Sequence, residues 1–399
     1  MASQMNAMRI AGLCLGLWLC VAPVAAALEP PSTFDRHESA ELDRLVRDVC
    51  RKDIVLLGED ANHGGGRTLE VKVELVKRLV DRCGFGGIVF ESSIHASLEL
   101  ERRHAQGVET GEDVVDAAGQ LWFRAREAQA LPGYLLQALR DGRLLVGGMD
   151  IQPVALPGRY TRSRQAAELA ALLDGAQREA CEAIIQRHNR YAYDDAQPFD
   201  DAEQARLRDC IDAVRAASAS PGGIVSLSGR MAEAYGRYLD MAMTGDGDVR
   251  ERAMFDNLMW YRDRWPRKTK ILVWCATVHG AKDLHNVAPA MRPMGADVHA
   301  RFGKRAAVIG FTALAGSFGH GGSGNPPLRL PDALPEALER KALADGAGLR
   351  YLDAKRLAKL GIAAARPINY RTVQAAEWVE IVDGLVVLRE ERPVTPRPR

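Results

Sequence analysis

Short apolar runs punctuate this chain, and between them apolar positions recur three and four residues apart. Ile54-Val55-Leu56-Leu57, Gly87-Ile88-Val89-Phe90, Leu144-Leu145-Val146 and Ile271-Leu272-Val273-Trp274 are continuous rather than alternating. Continuous runs of this kind predict strands of a parallel sheet buried on both faces. Residues 68–83 place Leu69, Val73, Val76 and Val80 on one helical face, with Gly84 just past the end as a C-cap. Strand, glycine-rich loop, helix and second strand then form a right-handed βαβ unit. A short helix over 39–50 leads into the first strand, 92–139 continues in a helical pattern, and 306–311 reads as a further strand.

Beyond Pro157 the character changes. Residues 163–243 are rich in Ala, Arg, Glu and Leu at helical spacing, divided by the loop 192–201 and by Pro221-Gly222-Gly223. The fold class expected is α/β, a mostly parallel sheet flanked by helices, with a helical insertion over the active rim. The boundaries are a signal peptide over 1–27, the first part of the α/β domain over 28–157, the insertion over 158–248, the second part over 249–320, and a C-terminal region over 321–399. In that last region, 378–381 and 385–388 predict a small hairpin around Asp383-Gly384, and 393–399 should be disordered.

Each of the four strong strand candidates stops on groups able to do acid–base chemistry. The first is followed by Gly58-Glu59 and His63, the second by Glu91, the third by Gly147-Gly148-Met149-Asp150, and the fourth by Thr277-Val278-His279. Ligands bind outside the carboxyl ends of such strands, so the four endings should open on one rim. Any one of them alone is an ordinary strand-end polar group turned to water. The repetition on all four is the signature of a site.

Composition narrows the setting. Residues 1–27 carry one charge, Arg9, an apolar stretch from Ile10 to Val24, and Ala25-Ala26-Ala27 as a small-x-small cleavage site. They predict export, to a bacterial periplasm, and the stretch is short for a membrane span. With Arg9 removed, the basic residues balance 52 acidic ones. No long basic run or aromatic-interleaved stripe appears, so nucleic-acid binding is not expected, and neither is membrane association after signal cleavage. An apolar content of 47% suffices for a large core. The mature chain keeps Cys50, Cys83, Cys181, Cys210 and Cys275. Cys181 could staple to Cys210 and Cys50 to Cys83, and the odd count leaves one thiol over. No pair has zinc-ligand spacing.

The loop Gly58-Glu59-Asp60-Ala61-Asn62-His63-Gly64-Gly65-Gly66 carries the most chemistry. A carboxylate can orient the imidazole so that it takes a proton from water, and the glycine amides could face an anion at the following helix N-terminus. His63-Gly64-Gly65-Gly66 also resembles a lipase oxyanion motif. The nearest nucleophile elbow, Ala315-Gly316-Ser317-Phe318-Gly319, lacks its first glycine, and the one later histidine, His320, is a single loop position away. The glycine-rich run 319–324 is followed by Asn325-Pro326-Pro327 instead of a helix, so it is no dinucleotide site. No His-Glu-x-x-His helix is present. Arg250, Met254 and Asn257 share a helical face on which the arginine could clamp a carboxylate or an oxyanion, or pair on the surface with Glu251 or Asp256.

Taken in order, these landmarks resemble the erythromycin esterase family. The matches are Gly58, Glu59 and His63; Glu91; Arg250, Glu251, Met254 and Asn257; Trp274 with His279; and the segments 148–152 and 303–316. The first loop has one residue more than the family pattern, which puts Asn62 where the histidine is expected, and the later motif reads Trp274-Cys275-Ala276-Thr277-Val278-His279 without its first histidine and its asparagine. The resemblance implies an α/β fold with an inserted helical part and hydrolysis of an ester or lactone by water. His63 is then the general base, Glu59 and Glu91 orient it and the water, Arg250 and His279 stabilise the oxyanion, and Asn62, Gly64, Asp150 and Asn257 bind substrate. No cofactor is required, although the same cluster could hold a divalent metal. A non-catalytic small-molecule-binding protein on a degenerate scaffold is the reading from a different class.

Overall fold

The computed structural model describes residues 34–153, 158–218, 226–320 and 325–397. The signal over 1–27, the Pro221-Gly222-Gly223 break and 321–324 of the glycine loop lie outside them. Residues Arg36–Arg399 form one compact unit, so the two predicted α/β parts build a single domain.

Its strands are β1 (Ile54–Leu57), β2 (Phe85–Ser93), β3 (Leu145–Asp150), β4 (Lys270–Trp274), β5 (Ala306–Phe318), β6 (Leu328–Arg329), β7 (Leu349–Asp353), β8 (Ile362–Ala365), β9 (Gln374–Glu377) and β10 (Gly384–Glu391). The main sheet runs β3-β2-β4-β1-β5-β10-β7, and β6 pairs with β5. The pairs from β3 to β10 are parallel, whereas β7 and β6 lie antiparallel to β10 and β5. The four apolar runs are thus four adjacent strands. Each side chain of β1 is fully buried, worth about 1.5–3 kcal/mol apiece. Register decides what happens at the ends. Leu57 and Phe90 both pair with Trp274, and Phe90 pairs with Gly148. Residues just beyond this row come from four strands and stand at one level.

Helices cover both faces. The helix Gly66–Cys83 links β1 to β2 and ends on Gly84, whose positive φ of 68° lets its amide reach Leu79 and Val80 carbonyls. The insertion consists of the helices Arg159–Ser163, Gln165–Ala170, Gly175–Arg190, Asp201–Ala217 and Leu227–Thr244. It packs on the helices Ile94–Ala105 and Gly247–Arg264, which themselves contact β3. Disulfides join Cys50 to Cys83 and Cys181 to Cys210, and Cys275 is buried and free.

Two expectations about the C-terminal region do not hold. Residues Trp378–Ile381 form a helical turn instead of a strand, and β10 lies between β5 and β7. The reason is burial: Leu385, Val386, Val387 and Leu388 are at most 1% exposed, and a two-stranded hairpin would leave one face of that run in water. The actual small hairpin joins the alanine-rich β8 and β9, whose side chains are too short to give an alternating signal. The tail is also ordered as far as Arg397, with bridges from Pro393 to Gly65 and from Pro396 to Ala125.

Alkylation of residues 28–399 in denaturant without reductant should label Cys275 alone. After reduction, Cys50, Cys83, Cys181 and Cys210 should react as well, as read by peptide mass spectrometry. Removing the Cys50–Cys83 bridge, with a sequence separation of 33, should cost about 3–4 kcal/mol of stability by loop-closure entropy.

Candidate active site

The rim is built in two halves. In the first, β1 ends against Gly58, where a Cβ would stand 2.5 Å from Thr277 Oγ1. The chain then turns across the rim. Glu59 Oε1 lies 2.8 Å from His63 Nδ1 and accepts from Trp122 Nε1 at 2.5 Å, while Oε2 lies 3.2 Å from Lys72 Nζ. Lys72 is fully buried, 4.2 Å over the Trp274 ring. His63 stacks edge-on to Trp122 with centroids 5.5 Å apart.

The extra residue of this loop is absorbed locally. The Asp60 carboxylate accepts from Asn62 N at 3.0 Å, closing a turn of the kind Asp favours. His63 takes a left-handed φ of 55°, uncommon for a residue with a Cβ. That backbone conformation brings the ring back to Glu59 from four residues away. The Asn62 side chain faces Asp60 and Asn369.

Burial alone would push the Glu59 carboxyl up, but the Lys72 charge and the hydrogen bonds from His63 and Trp122 outweigh it and hold the group below its ordinary value. For His63, burial would push downward; the Glu59 hydrogen bond and the charges of Glu91 and Glu59 prevail and raise it. Burial depresses the Lys72 ammonium, with Glu59 as the largest opposing influence. When His63 is neutral, its Nδ1–H donates to Glu59 and Nε2 is left with the lone pair, the arrangement of a base.

The second half gathers Glu91, Asp150, Arg250, Glu251 and His279. The Arg250 Nε and NH2 groups fork the Asp150 carboxylate at 2.7–3.2 Å, and NH2 also donates to Glu91 Oε1 at 3.0 Å. His279 lies between two glutamates, Nδ1 2.6 Å from Glu251 Oε1 and Nε2 3.1 Å from Glu91 Oε1. Ala276 N and Met294 N donate to the remaining oxygens of Glu91 and Glu251. Burial opposes charging of His279, yet Glu91 and Glu251 raise its pKa to about 9, so the ring is an imidazolium at neutral pH. Its Nε2 also lies 3.1 Å from Arg250 NH1. With the ring protonated, that is a contact between cations and not a hydrogen bond, and the three carboxylates around them hold it. Glu91 is held well below the ordinary range: burial opposes this, and His279, His63 and Arg250 together override it. Glu91 and His63 therefore lie within each other's field, which joins the two halves.

Of the predicted site residues, Glu59, His63, Glu91, Asp150, Arg250 and His279 come together on this rim. Asn257 does not face it: buried at 3% exposure, it donates to Met149 O at 2.7 Å and accepts from Arg230 at 2.5 Å, tying its helix to β3. Gly64 is needed for a backbone crossing, since a Cβ there would stand 1.9 Å from Gly319 O. The expected anion site at the helix N-terminus is already filled from within. Gly66 N donates to Arg392 O, and Arg67 N and Thr68 N donate to the Glu391 carboxylate. Arg250 pairs with neither Glu251 nor Asp256, which bonds Arg237 instead.

Three participants were given no site role from sequence. Lys72 falls inside the apolar stripe of its helix, between Leu69 and Val76, and that misplaced charge was the available signal. Glu251 follows Arg250 in the motif, but nothing local says that it serves His279. Trp122 is 63 residues from Glu59 in sequence and had no signal. The donor set does not fit a metal ion: each carboxylate is turned to a protein cation, and among the described residues no group of three or more His, Cys, Asp and Glu side chains could hold one.

A family model described as erythromycin esterase matches residues 80–380, beginning beyond the His63 loop. No curated protein matches the chain. Among solved structures, a succinoglycan biosynthesis protein superposes with a TM-score of 0.67 at 16% identity, covering 89% of this chain and 92% of that one. A Bacillus cereus protein gives 0.66 at 17%, with 92% and 95% covered. A histidine-to-asparagine mutant of the erythromycin esterase EreC, in its open conformation, gives 0.63 at 17%, with 90% and 95% covered. These likenesses show a shared fold, and the family match, spanning most of the chain, shows that this protein belongs to the erythromycin esterase family.

Proposed function

We propose that this protein is an exported hydrolase that cleaves a carboxylic ester or lactone with water activated by His63. Membership of the family makes it a hydrolase of that kind. The observation that carries the finer reading is the buried Glu59 carboxylate, whose Oε1 fixes the His63 tautomer while Lys72 and Trp122 keep it charged. Water gives a proton to His63 Nε2 as its oxygen bonds the acyl carbon, and Glu59 stabilises the imidazolium. The tetrahedral intermediate then expels the alkoxide, which takes that proton back, leaving acid and alcohol, or a hydroxy acid from a lactone. Arg250 NH1 is the terminal nitrogen with no carboxylate bonded to it, and beside the His279 imidazolium it is assigned to the carbonyl oxygen as negative charge develops there. Asp150 holds the other edge of the guanidinium. Asn62 and Gly64 lie on the loop that shapes the cleft. Export is supported by the two disulfides, which persist in oxidising compartments.

His63→Ala should lower turnover of an ester or lactone by about 10²- to 10⁴-fold with the fold retained, measured against a panel of such substrates. Because His63 must be neutral and its pKa is raised, kcat/KM should climb with pH through an apparent value above the ordinary 6.5 of histidine. Glu59→Gln should move that limb to lower pH while reducing kcat. Turnover independent of His63 would sink the assignment, and saturable binding without turnover of any substrate would favour a binding protein.

Lysine at position 250 keeps the charge but cannot fork Asp150 and present a second nitrogen at once. Arg250→Lys should therefore cut kcat by about 10²- to 10³-fold, the scale of a lost oxyanion donor, with a smaller change in apparent affinity. A lowered melting temperature with normal turnover per folded molecule would make the arginine purely structural.

The His279 imidazolium also predicts a pH dependence of stability. Its folded pKa of about 9 exceeds its ordinary 6.5, so its contribution is complete below pH 6.5 and is lost as pH rises through about 9. The melting temperature of the wild type should fall more steeply across that window than that of His279→Gln. Equal slopes in calorimetry would show that the ring is neutral in the folded protein.

A further inference from the structure

Past the end of β10 the chain leaves the sheet and runs between the His63 loop and the short helical segment that carries Trp122. On one side Arg392 O accepts from Gly66 N at 2.6 Å, and Val394 N donates to Gly64 O at 3.1 Å. On the other side Thr395 N donates to the Glu127 carboxylate at 3.0 Å, Thr395 O accepts from Arg126 N at 2.9 Å, and Arg397 N donates to Arg124 O at 2.8 Å. Pro393 and Pro396 stand at the two bridges, to Gly65 and Ala125. Proline has no N–H to satisfy and a fixed φ, so the segment is stiff, and the amides of Val394, Thr395 and Arg397 are all bonded.

The loops so joined supply the partners of a single carboxylate. His63 immediately precedes Gly64, and Trp122 lies two residues before Arg124; both reach Glu59 Oε1. The third partner, Lys72, is one turn along the helix whose first amides are capped by Glu391. That side chain is 1% exposed and accepts from Arg67 N at 2.8 Å, Thr68 Oγ1 at 2.5 Å and Tyr370 OH at 3.0 Å. A Cβ on Gly65 would come within 2.6 Å of it.

We propose that residues 391–397 form a strap that positions the general base, holding the His63 loop and the Trp122 loop in register so that both meet Glu59. The strap touches no reacting atom, and the proposal rests on the reading of His63 given above. Its physical basis is the weakness of what it holds. Three successive glycines give a loop little conformational preference of its own, and the left-handed backbone of His63, at a φ of 55°, is a strained conformation for a residue with a Cβ that the surroundings must offset. Without the residues beyond Arg392 the loop keeps the Gly319 N contact to Gly64 O and the Gly66 N bond to Arg392 O, but it loses the Val394 N bond and, with Thr395 and Arg397, its tie to the segment that follows Trp122. His63 then relaxes to an ordinary φ, and its ring swings off Glu59.

The test uses the chain ended after Arg392, which retains β10 and Glu391, and the full chain carrying Val394→Pro, which deletes one N–H. Steady-state kinetics on an ester or lactone are combined with NMR titration of the His63 imidazole, which needs no substrate. The strap predicts a kcat lowered about 10- to 10²-fold in the shortened chain and less in Val394→Pro, with KM changed less than about 2-fold, and a His63 titration shifted down toward 6.5 in both. Unchanged kcat and an unchanged titration in folded protein overturn the proposal, whatever happens to melting temperature. If the shortened chain does not fold, Val394→Pro decides by the same criteria. If the wild type hydrolyses no ester or lactone, the functional reading fails by itself, and the titration still decides whether the strap sets the Glu59–His63 contact.

Discussion

A carboxylate buried to 2% exposure must be neutralised or matched by donors and cations, and the arrangement around Glu59 follows from that requirement. Lys72 supplies the charge, and His63 and Trp122 supply two more contacts. Each comes from a different segment, so a single buried charge dictates the position of a helix, a glycine loop and an indole. Removing one partner of such a pair typically costs about 3–5 kcal/mol, because the other charge is left without compensation. The same pairing that stabilises the fold holds the His63 ring by its Nδ1.

The Arg250 cluster obeys the same rule at higher charge density. Three carboxylates surround two cations, and backbone amides of Ala276 and Met294 take the remaining oxygens. Saturation of this kind makes the cluster rigid. One glutamate, Glu91, faces both His279 and, through its field, His63, so the protonation of one half bears on the other. Cys275 between them is a buried thiol with its pKa pushed up by burial, which keeps it neutral beside these carboxylates.

The glycines of the His63 loop have an unexpected purpose. They do not open the backbone to a bound anion. They permit two internal approaches, that of Gly319 to Gly64 and that of the Glu391 carboxylate to Gly65. The helix N-terminus that would attract a ligand anion is satisfied by a side chain from the far end of the chain, and the anion site is spent on folding.

How much of this was legible beforehand depended on whether the signal was local. Continuous apolar runs are a property of the chain itself, and they identified the four strands, their parallel pairing and the polar groups at their ends, because strands buried on both faces are apolar throughout. Cys50 and Cys83 at helix ends, and Cys181 and Cys210 on two successive helices, likewise pointed to both disulfides. Register, in contrast, is made between strands: only the pairing of Leu57 and Phe90 with Trp274 levels the four endings. Partner choice is also tertiary. Arg250 meets Asp150 across 100 residues and Glu59 meets Trp122 across 63, and no spacing rule reaches that far. The place of β10 between β5 and β7, and the tail ordered beyond it, depended on which surfaces remained uncovered once the other elements had packed. The sequence by itself determined which groups would stand at the sheet's rim; tertiary structure alone decided their partners, since buried charges are matched by whatever the fold brings within hydrogen-bond distance.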